Sequence, residues 1–555
     1  MKKLIALACA AALGGCALNP LKLGKGDERP PPDAPITAQQ TQRKETPEFW
    51  RKNGKAIAKH AQKGVTSRTK AKNLILFVGD GMGVSTVTAA RILAGQKAGV
   101  TGEETELSFE TFPSTALAKT YNFDLQTPQS AGSMTALLTG LKTRGSSVAL
   151  DQIPLQGDCK NALGHQEPTI LEQAKDAGMA AGLVTTARIT HASAAVAYAH
   201  ASSPNWEIDA NVPDSAVAEG CIDIARQLTQ FNHKGPLDVV FGGGRMAFIP
   251  FPLPERPGSA KAGVRRAPGD LIDAWVKRTA GRTYVHSGSM LRGLRWKSLD
   301  GPVLGLFAPD HMEFEALRLT NGEDEPSLTE MTVAAIQGLR RNKNGYVLVV
   351  VAAGIGRGHD KANAYLALND AVELSNAVAA AEKLVGDTDT LIVVTASHGS
   401  TLTIGGAPAR ASPILGAAAS STQTPLPDAK GDAYATLAYG NGPPNAPSKP
   451  PPAAQLWKAP PPSNNNSAAT YQQPFAIALP VAANGGEDVP VYARGPGSQW
   501  FHGTLDQHAL YWIMHAAVPT LENGKPIRKI VGITPPKAPK IPLPFGKKDK
   551  KKPEE

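Results

Sequence analysis

Short apolar runs alternate along the chain with longer stretches of helical periodicity. Such runs lie at residues 74–78, 184–186, 238–244, 346–351 and 390–395, separated by helical patterns such as 363–384 and preceded by one at 46–68. Strands that are apolar throughout are typical of a sheet that is buried on both faces. Their alternation with helices predicts an α/β fold with a large, mostly parallel central sheet flanked by helices on both faces.

The first apolar run ends in a glycine-bracketed aspartate, Gly79-Asp80-Gly81, and a helical stretch begins at Val84. This pattern predicts a strand, a tight turn that carries one carboxylate, and a helix start. Open α/β sheets place their chemistry at the carboxyl ends of the strands, so Asp80 is a candidate site residue. Aspartate is also common in such turns for its geometry alone. A dinucleotide site is disfavoured because the third glycine is missing at the needed spacing.

A second candidate lies where small residues, Ser130-Ala131-Gly132-Ser133, lead into the apolar pair Leu137-Leu138. The pattern predicts a helix with a serine at its N-terminus. Serine at that position can cap the helix. It can also be a nucleophile whose product anion is held by the helix N-terminus. The residues alone leave both interpretations open.

The pattern changes after Gly399. Residues 400–440 are rich in small residues and proline, and residues 443–466 are of low complexity, with repeated proline runs and Asn464-Asn465-Asn466. Such a stretch cannot pack a core. We therefore expect one folded domain over 46–530 that carries an insertion at 405–485 with an exposed proline-rich loop.

The N-terminus has the pattern of a bacterial lipoprotein signal peptide over residues 1–15. Two lysines precede a short apolar stretch, and Leu13-Gly14-Gly15 stands directly before Cys16. An ordinary signal peptide that happens to contain a cysteine is the alternative. We expect Cys16 to be lipidated and residues 16–45 to form a flexible tether. Ala17 after the cysteine is typical of sorting to the outer membrane, so we expect a lipid-anchored protein of the cell envelope.

Charge adds little to this picture. The formal net charge of the 555-residue chain is +10, and much of it lies in a lysine-rich tail at 531–555. Such a tail is more typical of a solvated, disordered end than of a nucleic-acid site, so no nucleic-acid partner is expected. No internal run reaches the roughly 18 apolar residues that a membrane span needs.

Removal of the signal peptide with Cys9 and lipidation of Cys16 leave two cysteines, Cys159 and Cys221. A cysteine pair in an oxidising compartment indicates a disulfide. A metal site made from the two cysteines is the weaker alternative.

Taken together, these segments resemble the alkaline phosphatase family over roughly residues 45–525. The resemblance rests on several motifs in addition to Gly79–Gly83: Ser85–Arg91, Val184–Arg188, Thr190–Ser193, Phe241–Arg245, Tyr439–Pro443 and Ala493–Gly497. It implies the α/β sandwich already expected, a crown-like character for the 405–485 insertion, and a homodimer. Cys159 and Cys221 also fall where animal members have a disulfide.

Members of this family hydrolyse phosphate monoesters with two zinc ions and one magnesium ion around a nucleophilic serine. The resemblance implies that Ser130 is the nucleophile and that Asp80 is the carboxylate that bridges zinc and magnesium. It also makes Ser193 a magnesium ligand with His191 beside it, and His398 a zinc ligand. Asp360 takes the place of a zinc histidine, although a shift of one residue would put His359 there.

Most other site positions of the family carry residues that cannot bind a metal or a phosphate group. The substituted positions are Gln129 for aspartate, Pro204 for the phosphate-binding arginine, Ala352 (or Val351) for the magnesium glutamate, Gly356 and Ser397 for zinc aspartates, and Leu505 for a zinc histidine. Zinc needs about three or four protein ligands to be held firmly. We therefore expect zinc and magnesium to be bound weakly or not at all.

The sequence thus predicts an alkaline phosphatase-like envelope lipoprotein that is catalytically dead or strongly impaired and acts by binding or scaffolding. The alternative is a phosphomonoesterase with a remodelled metal site and a phosphoserine intermediate, and only in that case is a phosphomonoester its substrate.

Overall fold

The protein is described from a computed structural model, which covers residues 45–63, 70–255, 261–386, 388–443, 470–479 and 482–524. The predicted signal peptide, lipidation site and tether up to residue 44, the proline-rich loop at 444–469 and the basic tail lie outside the described residues. None of the helices within these ranges combines the length and the apolar character that a membrane crossing requires.

The strands of the described residues form two sheets. They are β1 Asn73–Gly79, β2 Ser114–Lys119, β3 Ala180–Arg188, β4 Val239–Gly243, β5 Thr283–Val285, β6 Val303–Leu306, β7 Tyr346–Ala352, β8 Thr390–Ala396, β9 Leu402–Ile404, β10 Leu437–Gly442, β11 Phe475–Ala478, β12 Val489–Arg494 and β13 Gly503–Asp506.

The α-helices of the same residues lie between and after these strands. They are α1 Pro47–Ala61, α2 Val84–Lys97, α3 Ser130–Thr139, α4 Cys159–Ala162, α5 Ile170–Asp176, α6 Ala192–Ala195, α7 Asp214–Glu219, α8 Ile224–Gln230, α9 Leu271–Lys277, α10 Gly288–Arg292, α11 Glu315–Arg318, α12 Leu328–Leu339, α13 Gly354–Asp360, α14 Ala364–Val385 and α15 Gln507–Ala517.

The main sheet has ten strands in the order β13-β2-β12-β8-β1-β7-β3-β4-β6-β5. All neighbouring pairs are parallel except those of β12, which runs antiparallel to both β2 and β8. Every residue of β1, β7 and β8 is buried. Because successive side chains in a strand point to opposite faces, both faces of the sheet are covered at its centre. The predicted α/β fold is confirmed.

A smaller sheet, in the order β11-β10-β9, is built from the segment around the expected insertion. Regular structure on both sides of residues 444–469 supports an insertion that leaves the main sheet. The crown-like character of 405–485 stays a prediction.

Cys159 and Cys221 form a disulfide that links α4 to the loop after α7, with their Cα atoms 5.9 Å apart. The predicted disulfide is confirmed.

Candidate active site

The candidate site lies where the three central strands end. Gly79, the last residue of β1, pairs with Ala352 on β7 and with Ala396 on β8. The carboxyl ends of these parallel strands therefore meet at one edge, where α/β folds place their sites. Asp80 and Ser397 are the next residues after β1 and β8, so the register alone brings them together.

Asp80 is a buried carboxylate that takes hydrogen bonds from three protein side chains. Its Oδ1 accepts from the Ser130 hydroxyl at 3.2 Å and from the Ser397 hydroxyl, and it lies 3.3 Å from His398 Nε2. Burial alone raises the pKa of Asp80, but the hydrogen bond from His398 and its charge outweigh burial and hold that pKa well below its usual range. The carboxylate is thus ionised and is stabilised by the chain itself.

The turn after β1 depends on Gly81, whose φ of +73° favours glycine. The backbone N–H of Gly81 donates to Ser397 Oγ at 3.4 Å. Ser397 therefore bridges the turn and the carboxylate, donating to Asp80 and accepting from Gly81. A hydroxyl with both functions engaged replaces the carboxylate that the resemblance places at this position.

Ser130 is the first residue of α3, and Gln129 occupies the N-cap position without a side-chain cap hydrogen bond. The Ser130 hydroxyl lies 2.9 Å from His398 Nε2. His398 Nδ1 donates to the Gly399 carbonyl at 2.9 Å, which orients the ring. Burial lowers the pKa of His398, but the hydrogen bond and charge of Asp80 raise it above its ordinary value. The hydroxyl thus lies against an imidazole and a carboxylate.

His359 is fully engaged by other side chains. Its Nε2 is 3.0 Å from Thr86 Oγ1 and its Nδ1 is 2.8 Å from Tyr439 OH. Burial, and to a smaller extent the charge of His398, lower the pKa of His359 to about 3, so the ring is neutral. Both ring nitrogens are used within the protein, which leaves neither of them directed at a ligand.

Asp360, at the end of α13, does line the cleft at this edge. Asp360 is an exposed residue, and partial desolvation of its carboxyl, followed by the negative charge of Asp80, raises its pKa. The cleft is small, and the residues that line it also include Gly81, Gly356, His398, Tyr439 and Asn484.

His191 and Ser193 lie at the start of α6, and His191 Nδ1 is 3.0 Å from Ser193 Oγ. The His191 ring also packs edge-on against His311, with ring centroids 5.4 Å apart. Burial lowers the pKa of His191, and the charge of Asp80 opposes this effect. His191 and Ser193 thus orient each other.

The substituted positions divide into two groups. Gln129 precedes Ser130, Ala352 ends β7, and Ser397 contacts Asp80, so these positions belong to the site. So does Gly356, where an added Cβ would lie 3.6 Å from Asp80 Cβ. Pro204 is half-buried in a turn after Ala201, and proline has no side-chain donor for phosphate oxygens.

Leu505 lies on β13, the edge strand, opposite Ala118 of β2. Two residues later, the Gln507 side chain donates to the backbone carbonyls of Ala396 at 3.2 Å and Ser397 at 2.7 Å. The end of β13 therefore adjoins the site, and the assignment of Leu505 to a zinc position stays a prediction. Asn484 lines the cleft, and its Nδ2 donates to the Pro128 carbonyl at 2.8 Å. Sequence reasoning missed Asn484, although the glycine pair at 485–486 before β12 marks a turn that could have indicated it.

The residues present do not fit two zinc ions and a magnesium ion. Within the described ranges, no group of three or more His, Cys, Asp or Glu side chains is arranged to hold a metal ion. Zinc sites need three or four such ligands. Asp80 and His398 are bonded to each other and to Ser130, and His359 has no free nitrogen. At the centre of the implied site, Asp80, Ser130 and His398 thus satisfy one another.

Comparison with known proteins agrees with this fold. The sequence profile described as "Alkaline phosphatase" matches residues 71–520. The chain is 39% identical over 486 residues to the tissue-nonspecific alkaline phosphatase of Gallus gallus, which covers 86% of this chain and 89% of the relative. It is 37% identical over 481 residues to the corresponding isozyme of Homo sapiens, covering 85% of this chain and 88% of the relative.

Solved structures share the fold at lower identity. The alkaline phosphatase of Thermus thermophilus matches with a TM-score of 0.57 at 22% identity, over 84% of this chain and 97% of that one. The enzyme of the Antarctic bacterium TAB5 matches with a TM-score of 0.53 at 20% identity, over 81% of this chain and 99% of that one. The chain therefore belongs to the alkaline phosphatase family.

Proposed function

We propose that this chain is a family member without effective phosphomonoesterase activity, which acts by binding or scaffolding as a lipid-anchored protein of the bacterial envelope. The observation that carries the proposal is the set of partners of Asp80. Where the family resemblance implies metal ions, Asp80 accepts hydrogen bonds from Ser130, Ser397 and His398.

The chemistry of the family supports this proposal. Paired metal ions stabilise both the attacking and the leaving oxygen of an in-line displacement, and an arginine fork holds phosphate oxygens. This chain has Gly356, Ser397 and Leu505 where the family resemblance implies zinc ligands, and Pro204 where it implies the arginine. Loss of a single oxyanion donor typically lowers the rate by about 10²–10³-fold, so the combined loss points to a rate near background.

The proposed location rests on Leu13-Gly14-Gly15-Cys16. A lipid on Cys16 and a tether to residue 45 would hold the domain near the outer membrane, and a homodimer is the arrangement that the family resemblance implies. The fold is intact, and the side chains at the centre of the site are hydrogen-bonded to one another. This supports a role that uses the surface of the domain.

A phosphomonoesterase with a remodelled site is the second candidate. It is favoured by the 2.9 Å contact between the Ser130 hydroxyl and His398 Nε2, because a His398 that had lost its Nε2 proton would be a base beside a nucleophile. It is also supported by the 37–39% identity to relatives named alkaline phosphatases.

Turnover of p-nitrophenyl phosphate by the purified mature protein separates the two candidates. It should be measured with and without added zinc and magnesium, with the Ser130→Ala variant as control. We expect wild type and Ser130→Ala to give the same background rate. Turnover at ordinary enzyme rates, about 1–10³ per second, that disappears in Ser130→Ala would overturn the proposal. Slow turnover that depends on Ser130 would favour the remodelled enzyme.

A further inference from the structure

A cluster of two histidines and two carboxylates lies outside the candidate active site. Glu172 and Asp176 lie on α5, His200 follows α6, and His233 lies in the loop between α8 and β4. The side chains of Glu172 and His200 are buried, and that of His233 is 19% exposed. The cluster therefore joins three segments that are distant in the sequence, and the proposed function does not involve it.

Both ring nitrogens of His200 face acceptors. Its Nε2 is 2.9 Å from Glu172 Oε1, and its Nδ1 is 2.9 Å from the Ala149 carbonyl oxygen. A neutral imidazole has one donor and one acceptor nitrogen, whereas a carbonyl or an ionised carboxylate oxygen can only accept. The contacts therefore require two protons on the ring, which makes His200 an imidazolium.

His233 has the same arrangement with two carboxylates. Its Nε2 is 3.2 Å from Glu172 Oε1, the oxygen that His200 also contacts, and its Nδ1 is 3.2 Å from Asp176 Oδ2. The other oxygen of Glu172 accepts from the Thr169 N–H at 2.7 Å, which fixes the carboxylate. Two protonated rings therefore share one buried carboxylate oxygen.

The electrostatics agree with this geometry. Burial alone raises the pKa of Glu172, but the charge of His200 outweighs burial and holds that pKa well below its usual range. Burial lowers the pKa of His200, and the charge of Glu172 raises it above its ordinary value. Burial also lowers the pKa of His233, but the hydrogen bond to Glu172 raises it to about 9.

The other charged groups beside the cluster have partners of their own. Glu167 also faces His200, and it is paired with Arg51. Lys175, on the same helix as the two carboxylates of the cluster, is paired with Asp238 at 2.8 Å. The two rings therefore respond chiefly to the carboxylates of the cluster.

Side chains hold the 232–236 loop to α5. Within the described ranges, this loop makes no backbone hydrogen bond to the rest of the chain. Its anchors are His233 and the Lys234 ammonium, which donates to the Asp176 carbonyl. His233 is more exposed than His200, so it is the ring that can move into water when its contacts weaken.

We propose that Glu172, Asp176, His200 and His233 form a pH-sensitive latch, which holds the 232–236 loop against α5 while both rings are protonated and releases it when His233 loses a proton. A neutral His233 would turn a bare nitrogen toward a carboxylate oxygen, and their lone pairs repel each other. The latch contains none of the candidate site residues, so it goes beyond the proposed function and does not depend on it.

The direction of the pH effect follows from the protonation of His233. The closed latch binds the proton more tightly than the open loop, so closure is strongest below about pH 6.5 and weakens up to about pH 9. In that window, each pH unit changes the ratio of open to closed loop by about tenfold. The loop should therefore open between neutral and mildly alkaline pH.

Cleavage by endoproteinase Lys-C after Lys234 measures this opening in the full chain. A synthetic peptide of residues 229–239, cleaved at the same pH, corrects for the pH dependence of the protease. Mass spectrometry identifies the cut between Lys234 and Gly235. The ratio of the protein rate to the peptide rate should rise by about tenfold or more from pH 7.0 to pH 8.5.

Two substitutions of His233 separate charge from shape. His233→Gln cannot be protonated, so it should be cleaved rapidly at both pH values. His233→Arg keeps its charge at both values, so it should be cleaved slowly at both. His165→Gln is the matched control, because His165 contacts one carboxylate, Asp151, at 2.8 Å outside the latch. It should behave as wild type.

A wild-type ratio that does not change with pH would overturn the proposal. So would a His233→Gln variant that is cleaved as slowly as wild type at pH 7.0. Faster cleavage of wild type after addition of EDTA at pH 7.0 would also overturn it, since a metal ion and not a proton would then close the loop.

Discussion

Ser397→Ala removes one of the protein groups that stabilise the Asp80 carboxylate. The variant loses the donor to Asp80 Oδ1 and the acceptor for the Gly81 N–H at 3.4 Å. A hydrogen bond to a charged group is worth about 1.5–3 kcal/mol, and a buried donor left unsatisfied adds to the loss. The Gly81 contact is long, so we expect the free energy of unfolding to fall by about 2–3 kcal/mol.

Urea unfolding followed by tryptophan fluorescence measures this change, and the midpoint shifts at constant slope if only stability is altered. Ser400→Ala is the matched control. Ser400 is also buried and lies three residues away, but its hydroxyl makes only 3.4 and 3.5 Å contacts, to the Leu402 N–H and to Thr86. We expect a loss below about 1 kcal/mol there.

The same titrations in EDTA complete the experiment. If protein groups have replaced metal ions around Asp80, EDTA leaves the stability of wild type and of Ser397→Ala unchanged. The reasoning is refuted if Ser397→Ala is no less stable than Ser400→Ala, or if EDTA destabilises the wild-type protein.

Further predictions concern a buried carboxylate, the lipid and the metal ligands. Burial raises the pKa of Asp370 to about 8 in the folded protein, above the value in the unfolded chain. The free energy of unfolding should therefore fall by up to about 1.4 kcal/mol per pH unit as pH rises from about 4 to about 8. The Asp370→Asn variant keeps the acceptor for the Glu315 N–H, and urea unfolding at several pH values should show that the variant lacks this pH dependence. Cys16→Ala should abolish labelling of the chain by radioactive fatty acid, and unchanged labelling would contradict the lipoprotein prediction. Calorimetric zinc titration should show no binding by single restored ligands, because residues of one site act as a unit, but clear binding by the combined set. That set is Gly356→Asp, Asp360→His, Ser397→Asp and Leu505→His.

The centre of the fold could be predicted because its signal is local. The apolar run at 74–78 became β1, and the helical pattern at 363–384 became α14, with bounds shifted by one residue. The reversed direction of β12 could not be predicted, since the residues of a single strand carry no information on which way it runs beside its neighbours. The main sheet is therefore mixed, because β12 runs antiparallel to its two neighbours.

The site residues that directly follow a central strand could be predicted from the sequence. Asp80 and Ser397 are brought together by the register of β1 and β8. Asn484 and Gln507 could not be predicted, because they follow a low-complexity stretch in which composition fixes no register. Only the folded chain shows that Asn484 lines the cleft and that Gln507 donates to the Ser397 carbonyl.

The metal content of the purified protein tests the central claim most directly. The mature chain is incubated with zinc and magnesium, passed through gel filtration, and analysed by plasma mass spectrometry. The account predicts well under about one zinc per chain, since fewer than three ligands remain in place. Two zinc ions that stay bound to each chain through gel filtration would contradict it.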